Sequence, residues 1–292
     1  MLCHYRGADP VVIEIARGWR DYVLLDAGGG EKLEIWGGVK VIRPDPQAFW
    51  PKSYKWEKPD MQYHRSKSGG GSWEILGPRI PKAWKIKRGP LNFHIRPTGF
   101  KHMGLFPEQA FNWDWLYEKI TGEGRPVHVL NLFAYTGGAT LACLNAGADV
   151  THIDASKGMN GWARDNIELS GFKQARVLTD DVIKFVSREG RRGNKYDGII
   201  MDPPVFGRGP GGEMWKLEEG LFELVRLCAE ILSDNPLFVL INAYTAGFSP
   251  TAYGNVLNKV LPGGIVNVGE IGLAAKSEVI LPCGMYARWE RK

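Results

Sequence analysis

The stretch VHVLNLFAYTGGATLACLNAG, residues 127–147, decides the fold. An apolar run reads as a buried strand, Gly137 and Gly138 as a tight turn, and GATLACLNAG as a helix ending at Gly147. The same alternation continues downstream. DVTHIDA (149–155), ARVLTDD (175–181), YDGIIMD (196–202) and PLFVLINAY (236–244) read as strands. Between them lie the helical patterns of 156–171, 182–190 and MWKLEEGLFELVRLCAEIL (214–232), and another follows at 250–261. One more helix, EQAFNWDWLYEKI (108–120), precedes the first strand, and further strands fill the tail. Strand and helix alternating at this spacing predict an α/β fold, a Rossmann-like, mostly parallel sheet with helices on both faces. A ligand is then expected at the carboxyl ends of the central strands.

Upstream the texture differs. DYVLLDAGGGEKLEIWG and VKVIRP are short apolar runs split by glycines, and WKIKRGPLNFHIRP alternates around Gly89-Pro90, so residues 1–105 read as a small β-rich domain of hairpins before a larger domain at 106–292. RSKSGGGSW between them reads as a glycine–serine loop. The 292-residue chain is 44% hydrophobic, enough for a sizeable core. No apolar run reaches the roughly 18 residues of a membrane span, and the N-terminus does not read as a signal peptide. Cys3, Cys143, Cys228 and Cys283 lie far apart, which argues against a zinc site or disulfide framework and fits a cytoplasmic protein. The net charge of +5 is uneven: residues 1–105 hold 18 Lys and Arg against 10 Asp and Glu, and the remainder is slightly acidic. Such asymmetry marks either a nucleic-acid surface or a merely solvated basic face.

The glycine turn is not a dinucleotide fingerprint and lacks a phosphate-loop lysine. Alone, it serves ligand approach or strand–helix packing equally well. The strand tips separate the two. Asp154 ends the second strand, where an acid can bind ribose hydroxyls. Asp180 or Asp181 ends the third, placed for an adenine amino group, and Asp202 ends the fourth. Any one of them could be a helix cap. Together on the ligand edge they suit a ligand with ribose, adenine and a cation, and S-adenosylmethionine fits better than NAD.

NLFAYTGGATLACLNAGADVTHIDASKGMNGWARDNIELSG, TDDVIKFV, YDGIIMDPPVFGRG and PTGFKHMGLFPEQAFNW together resemble the S-adenosylmethionine-dependent methyltransferases of the large-subunit rRNA cytosine-C5 and guanine-N7 families, over roughly residues 90–292. The resemblance implies a class I methyltransferase fold. It implies that Asn131, Phe133, Tyr135, Gly137 and Gly138 border the methionine and ribose, that Asp154 binds ribose and that Asp181 contacts adenine. It adds Thr136, Ala155, Ser156, Asn166, Asp180 and Asp202 to the cofactor set, with Phe100, Lys101 and Phe106 from a loop closing over the cofactor. Asp202, Pro203, Pro204 and Phe206 become the catalytic loop; no metal is implied. Three departures stand out: no RNA-recognition module is evident at the front, Ala110 replaces a basic residue, and Asn242, Ala243, Tyr244 and Thr245 stand where cytosine-C5 enzymes place a cysteine.

That cysteine activates a carbon that is otherwise a poor nucleophile. Cys228 and Cys283 read instead as buried small hydrophobes. Without the thiol, the chemistry expected is direct transfer to a heteroatom by positioning and electrostatics. Phe206 either stacks on a flipped base or packs in the core. Residues 207–212, GRGPGG, read as a flexible lid or substrate loop rather than a merely long surface loop, with Arg208 able to meet a phosphate and Tyr244 able to orient a base. AFWPKSYKWEKPDMQYHR (48–65) interleaves aromatics with cations as an RNA surface does, although most of its tryptophans are expected in a core. The expected partner is RNA, with rRNA favoured. A protein or small-molecule substrate, or a non-catalytic RNA-binding factor that keeps the fold, are the alternatives.

Overall fold

A computed structural model describes residues 13–66, 70–78, 80–172, 175–245 and 247–292. Cys3, the N-terminal segment read above, residues 67–69 of the glycine–serine loop and Ala246 lie outside the described residues. The chain opens with β1 (Ile13–Ile15), β2 (Tyr22–Gly28), β3 (Glu31–Trp36), β4 (Val39–Pro44), β5 (Met61–Arg65), β6 (Gly71–Ile75), β7 (Trp84–Arg88) and β8 (Leu91–Ile95). A 3-10 turn, Pro107–Gln109, leads into α1 (Ala110–Thr121). Then follow β9 (His128–Leu132), α2 (Gly138–Asn145), β10 (Asp149–Asp154), α3 (Lys157–Leu169), β11 (Arg176–Thr179), α4 (Val182–Arg192) and β12 (Gly198–Met201). The last third holds β13 (Phe206–Arg208), β14 (Met214–Lys216), α5 (Leu217–Glu230), β15 (Phe238–Ala243), α6 (Pro250–Val260), β16 (Ile265–Ala274) and β17 (Ile280–Glu290).

The large sheet runs β1-β16-β17-β15-β12-β9-β10-β11. Strands β9, β10, β11, β12 and β15 are parallel, and β17 inserts antiparallel to β15 and β16. The order reverses between β9 and β12, so the crevice opens at their carboxyl ends. Both faces are covered. Val182, Phe185, Leu221, Leu224, Val225 and Leu257 pack on one side, while Leu116, Ile120 and Cys143 meet Val129, Ile200 and Leu240 on the other. The reading as an α/β sheet with a strand-rich N-terminal region holds.

Two local expectations are corrected. The segment 207–212 is not a slack lid: β13 and β14 pair as a hairpin, and Lys184 meets Glu213 beside its turn. The long helix begins at Leu217, because Met214–Lys216 are spent as the second strand of that hairpin.

Strands β2 to β6 form one sheet and β7–β8 a separate hairpin. Tyr22, Trp36, Ile86 and Phe93 share a core with Trp113 of α1, Leu141 of α2 and Ile167 of α3. The outer edge of β8 is satisfied by α3. Trp162, Asn166 and Ser170 recur every four residues and so lie on one helical stripe. Trp162 donates to the His94 carbonyl at 2.9 Å, the Asn166 side-chain Oδ1 accepts from the His94 amide at 2.8 Å, and the Ser170 hydroxyl accepts from the Asn92 amide at 2.9 Å. A strand edge that would otherwise be open is thereby closed. The link between β16 and β17 docks on β2, where Lys276 and Ser277 donate to the Leu24 and Leu25 carbonyls at 3.0 and 3.1 Å. These stitches hold the N-terminal strands over the ligand edge. They also explain the tryptophans: Trp36 is fully buried and Trp19, Trp50, Trp73 and Trp84 pack against this core.

Candidate active site

A cavity of about 850 Å³ opens where the strand tips converge. The end of β9 supplies Phe133 and Tyr135, β10 supplies Asp154, β11 supplies Asp180 and Asp181, β12 supplies Asp202, Pro203 and Pro204, and β15 supplies Tyr244. Lys32, Arg43 and Asp45 from β3 and β4, together with Lys101, His102 and Phe106, close the opposite wall.

Phe133 and Tyr135 adopt positive φ, 52° and 51°, which costs non-glycine residues energy and is rarely kept without a use. The turn brings the Tyr135 amide onto Asp154, whose two carboxylate oxygens accept from Tyr135 at 2.9 Å and Ser156 at 2.8 Å. Burial raises the Asp154 pKa. The backbone so fixes a carboxylate whose remaining lone pairs face the cavity, as a ribose diol needs. Asp181 caps α4, accepting from the Lys184 amide at 2.9 Å, and Asp180 pairs with Arg188. Both still line the cavity. Apolar Leu105, Val182 and the Phe106 ring, 5.6 Å from Tyr135, supply surface for a purine. This set fits S-adenosylmethionine.

The Pro203-Pro204 platform is held from beneath by Trp215. Its indole donates to the Pro204 carbonyl at 2.7 Å, its ring lies 5.0 Å from Phe133, and Leu217 donates to the Val205 carbonyl at 3.0 Å. Trp215 is a residue that sequence reasoning missed, because it was read into a helix. The Asp202 carboxylate accepts no hydrogen bond among the described residues. Burial and then the negative charge of Glu108 push its pKa up to about 7. Glu108, also missed, is itself buried and raised by that burial.

The other wall is cationic. Glu34 is fully buried and meets Arg43 through two bonds of 2.7 Å, while Tyr22 donates to it at 2.9 Å. Burial alone would raise Glu34, but Arg43 and Lys32 hold it near 2. Lys32 pairs with Asp45 at 3.0 Å. Among the described residues Lys101 pairs with no carboxylate; it donates to the Pro44 carbonyl at 3.3 Å, and burial followed by repulsion from Lys32 lowers its pKa to about 8.

Several expected residues sit off the main cavity. Asn131, Thr136 and Gly138 line a small adjoining pocket of about 50 Å³ that shares Phe106, Phe133, Tyr135 and Asp202 with it. Asn131 donates to the Thr140 hydroxyl at 3.0 Å, and Thr136 donates to the Gly104 carbonyl at 2.5 Å. Gly137 caps α2 and Gly138 lies against Trp113, where a Cβ would come within 2.6 Å of the indole. Asn166 belongs to the β8 stitch, and Phe100 is exposed away from the lining. Ala155 and Ser156 line the cavity. Arg208 lines its mouth, whereas Phe206 is 52% exposed, so it is neither core nor lining. Cys228 is buried as expected, but Cys283 is only half-buried and lines the cavity, a correction to its reading as a core hydrophobe.

Comparisons with known proteins agree with this geometry. The chain matches the S-adenosylmethionine-dependent methyltransferase family over residues 59–243, more than half its length. Ribosomal RNA large subunit methyltransferase K/L of Syntrophotalea carbinolica is 27% identical over 188 residues, 63% of this chain and 25% of that protein. Ribosomal RNA large subunit methyltransferase I of Klebsiella pneumoniae is 32% identical over 144 residues, 48% of this chain and 34% of that protein. The matches thus span about a third or less of these curated relatives. A crystal structure of a SAM-dependent methyltransferase from Agrobacterium tumefaciens superposes with a TM-score of 0.91 at 37% identity, covering 96% of this chain and 94% of that one. Among the described residues no helix is long and apolar enough to cross a membrane. The chain belongs to the S-adenosylmethionine-dependent methyltransferase family.

Proposed function

We propose that this methyltransferase modifies a base in RNA, with rRNA the favoured substrate, by direct transfer to a ring or exocyclic nitrogen. The observation that carries the reading is Asp202, a carboxylate without a partner among the described residues, on a proline platform beside the cofactor end of the cavity. Bound S-adenosylmethionine supplies an electrophilic methyl group on a sulfonium. Asp202 accepts the hydrogen bond of the target N–H and then its proton, so the nitrogen lone pair is free to attack in line. With a pKa of about 7 it is poised to do so near neutrality.

The cysteine route is less well supported. Burial pushes the Cys283 thiol well above 9, and the charge of Glu108 adds to this, so little thiolate forms. RNA is supported by the rRNA methyltransferase relatives and by Lys32, Arg43 and Lys101 lining the wall opposite Asp154, where a phosphate can be met. Around the stretch 48–65, Phe49 is 84% exposed and Lys52, Lys55 and Lys58 are exposed. We place residues 1–105 as the substrate-presenting part, residues 106–292 as the methyltransferase part, and the reaction in the cytoplasm. The test is calorimetry with S-adenosylmethionine and S-adenosylhomocysteine, followed by tritiated-methyl transfer to unmodified large-subunit rRNA. Asp154→Ala is expected to weaken cofactor binding at least tenfold. Unchanged binding discards the ribose assignment, and cofactor binding without transfer to rRNA discards the RNA substrate.

A further inference from the structure

A hydrogen-bonded chain with only one chemically allowed polarity runs from the buried end of β17 to the cavity. Arg288 sits among the rings of Phe111, Trp115 and Tyr286, 4.4 to 4.5 Å from their centroids. A guanidinium only donates. Its Nε donates to Asn112 Oδ1 at 3.2 Å, and Nη2 donates to the same oxygen. That contact settles which way round the Asn112 amide lies. Its nitrogen then donates both hydrogens, to Gln109 Oε1 at 2.8 Å and Asn242 Oδ1 at 2.7 Å. With its oxygen committed, Gln109 turns its nitrogen to the Tyr244 hydroxyl and donates at 2.7 Å. The phenol oxygen is therefore an acceptor in this chain, and its own hydrogen must leave in another direction.

That direction is the cavity. Tyr244 lines it with Asp202, Glu108 and Cys283, its ring is 5.1 Å from Phe106, and its hydroxyl donates to no partner among the described residues. Burial, reinforced by the charges of Glu108 and Asp202, raises its pKa well above 10, so the proton stays on.

We propose that the Arg288–Asn112–Gln109 chain makes Tyr244 a fixed hydrogen-bond donor to an acceptor atom, a carbonyl oxygen or bare ring nitrogen, on the base whose neighbouring N–H is received by Asp202. This rests on the base-methylation reading above. The substrate recognised is a heteroaromatic ring that presents acceptor and donor side by side, which is the pairing edge of a nucleobase. That edge is free only when the base is unpaired or flipped out. Arg288, Asn112 and Gln109 are positioning residues, and Tyr244 touches the substrate.

Gln109→Glu tests the polarity without changing shape. The assays are run at pH 9, where the new buried carboxyl beside Glu108 is ionised; a carboxylate cannot donate, so the Tyr244 hydrogen turns towards it and leaves the cavity. The variant is expected to bind S-adenosylhomocysteine as the parent does and to lose about tenfold in kcat on unmodified large-subunit rRNA, the scale of one lost hydrogen bond. Tyr244→Phe should lose as much, and the double variant no more than Tyr244→Phe alone. Parental kcat in Gln109→Glu, or losses that multiply, would overturn the proposal. The polarity is read independently of any substrate by NMR of the protein bound to S-adenosylhomocysteine: Tyr244→Phe should shift one side-chain amide proton of Gln109. No shift refutes the chain. A shift in a protein that transfers nothing to rRNA keeps the chain and refutes the RNA base as its target.

Discussion

Asp202→Asn should stabilise the cofactor-free protein, and by an amount that depends on pH. The Asp202 pKa rises from an ordinary 3.8 to about 7 on folding. The unfolded chain therefore loses this proton near pH 4, while the folded protein keeps it until near pH 7. Stability falls across that interval and is flat on either side. Three pH units correspond to about 4 kcal/mol at about 1.4 kcal/mol per unit. Asparagine has the same shape and no charge to desolvate. The gap in unfolding free energy between Asp202→Asn and the parent should thus widen by about 4 kcal/mol between pH 4 and pH 8, in favour of the variant. Urea denaturation at pH 4, 5, 6, 7 and 8 reads it directly. A gap that is constant with pH, or that widens towards acid, would show that Asp202 ionises normally in the fold and would remove the reason for giving it a proton-accepting role.

Two further outcomes follow from the same geometry. Glu108→Gln removes the negative neighbour that adds to burial in holding the Asp202 proton on, so the kcat/KM inflection expected near pH 7 in the parent should lie at lower pH in the variant; the same inflection in both would mean that burial alone sets it. Gly138→Ala gains helix propensity at the start of α2 but drives a methyl into the Trp113 indole, which is stacked on Phe93 at 5.5 Å. Overpacking of about 1 to 3 kcal/mol exceeds the gain of about 1 kcal/mol, so thermal unfolding should show a net loss, relieved by Trp113→Phe.

The parallel sheet was legible because it is local. Each βα unit carries its own apolar run, turn and helix face, and 127–147 already contains the first. The acids at the strand tips were legible for the same reason: a strand that ends on Asp154 or Asp202 puts that side chain on the ligand edge whatever else the chain does. What could not be read depends on distant partners. Phe133 and Tyr135 are forced to positive φ by a turn that delivers an amide to Asp154, nineteen residues further along. Gly138 looks like a ligand-approach glycine, and only the tertiary fold puts Trp113 against it. Asn166 sits on a helix beside the cofactor motifs, yet its side chain is spent tying β8 to the glycine turn: Oδ1 accepts from the His94 amide and Nδ2 donates to the Thr136 carbonyl. Trp215 and β14 were absorbed into a helix because MWKLEEGLF has helical spacing, and the hairpin prevails because β13 pairs with it. No local signal brings Lys32, Arg43 or Cys283 to the cavity, since they arrive from β3, β4 and β17.

The distribution of charge separates scaffold from site. Around the cavity most ionised groups are matched: Glu34 with Arg43, Lys32 with Asp45, Asp180 with Arg188. Among the described residues Asp202 pairs with no cation, and Glu108 forms no salt bridge, although the charges of Lys32 and Arg43 draw its pKa down. They stand close enough for one to raise the other, in a protein with ample lysine and arginine nearby to neutralise either. Leaving the Asp202 carboxyl group without a cation, beside a second carboxyl group that burial raises, destabilises a fold, and such cost persists where the surroundings over-determine the structure. The surroundings here do so: the prolines and Trp215 fix Asp202, and the 3-10 turn before α1 fixes Glu108. A cation placed between them would lower both pKa values and remove the proton-accepting group near neutrality. The unmatched pair is therefore the part of the cavity kept for chemistry, and the paired residues around it hold the walls apart.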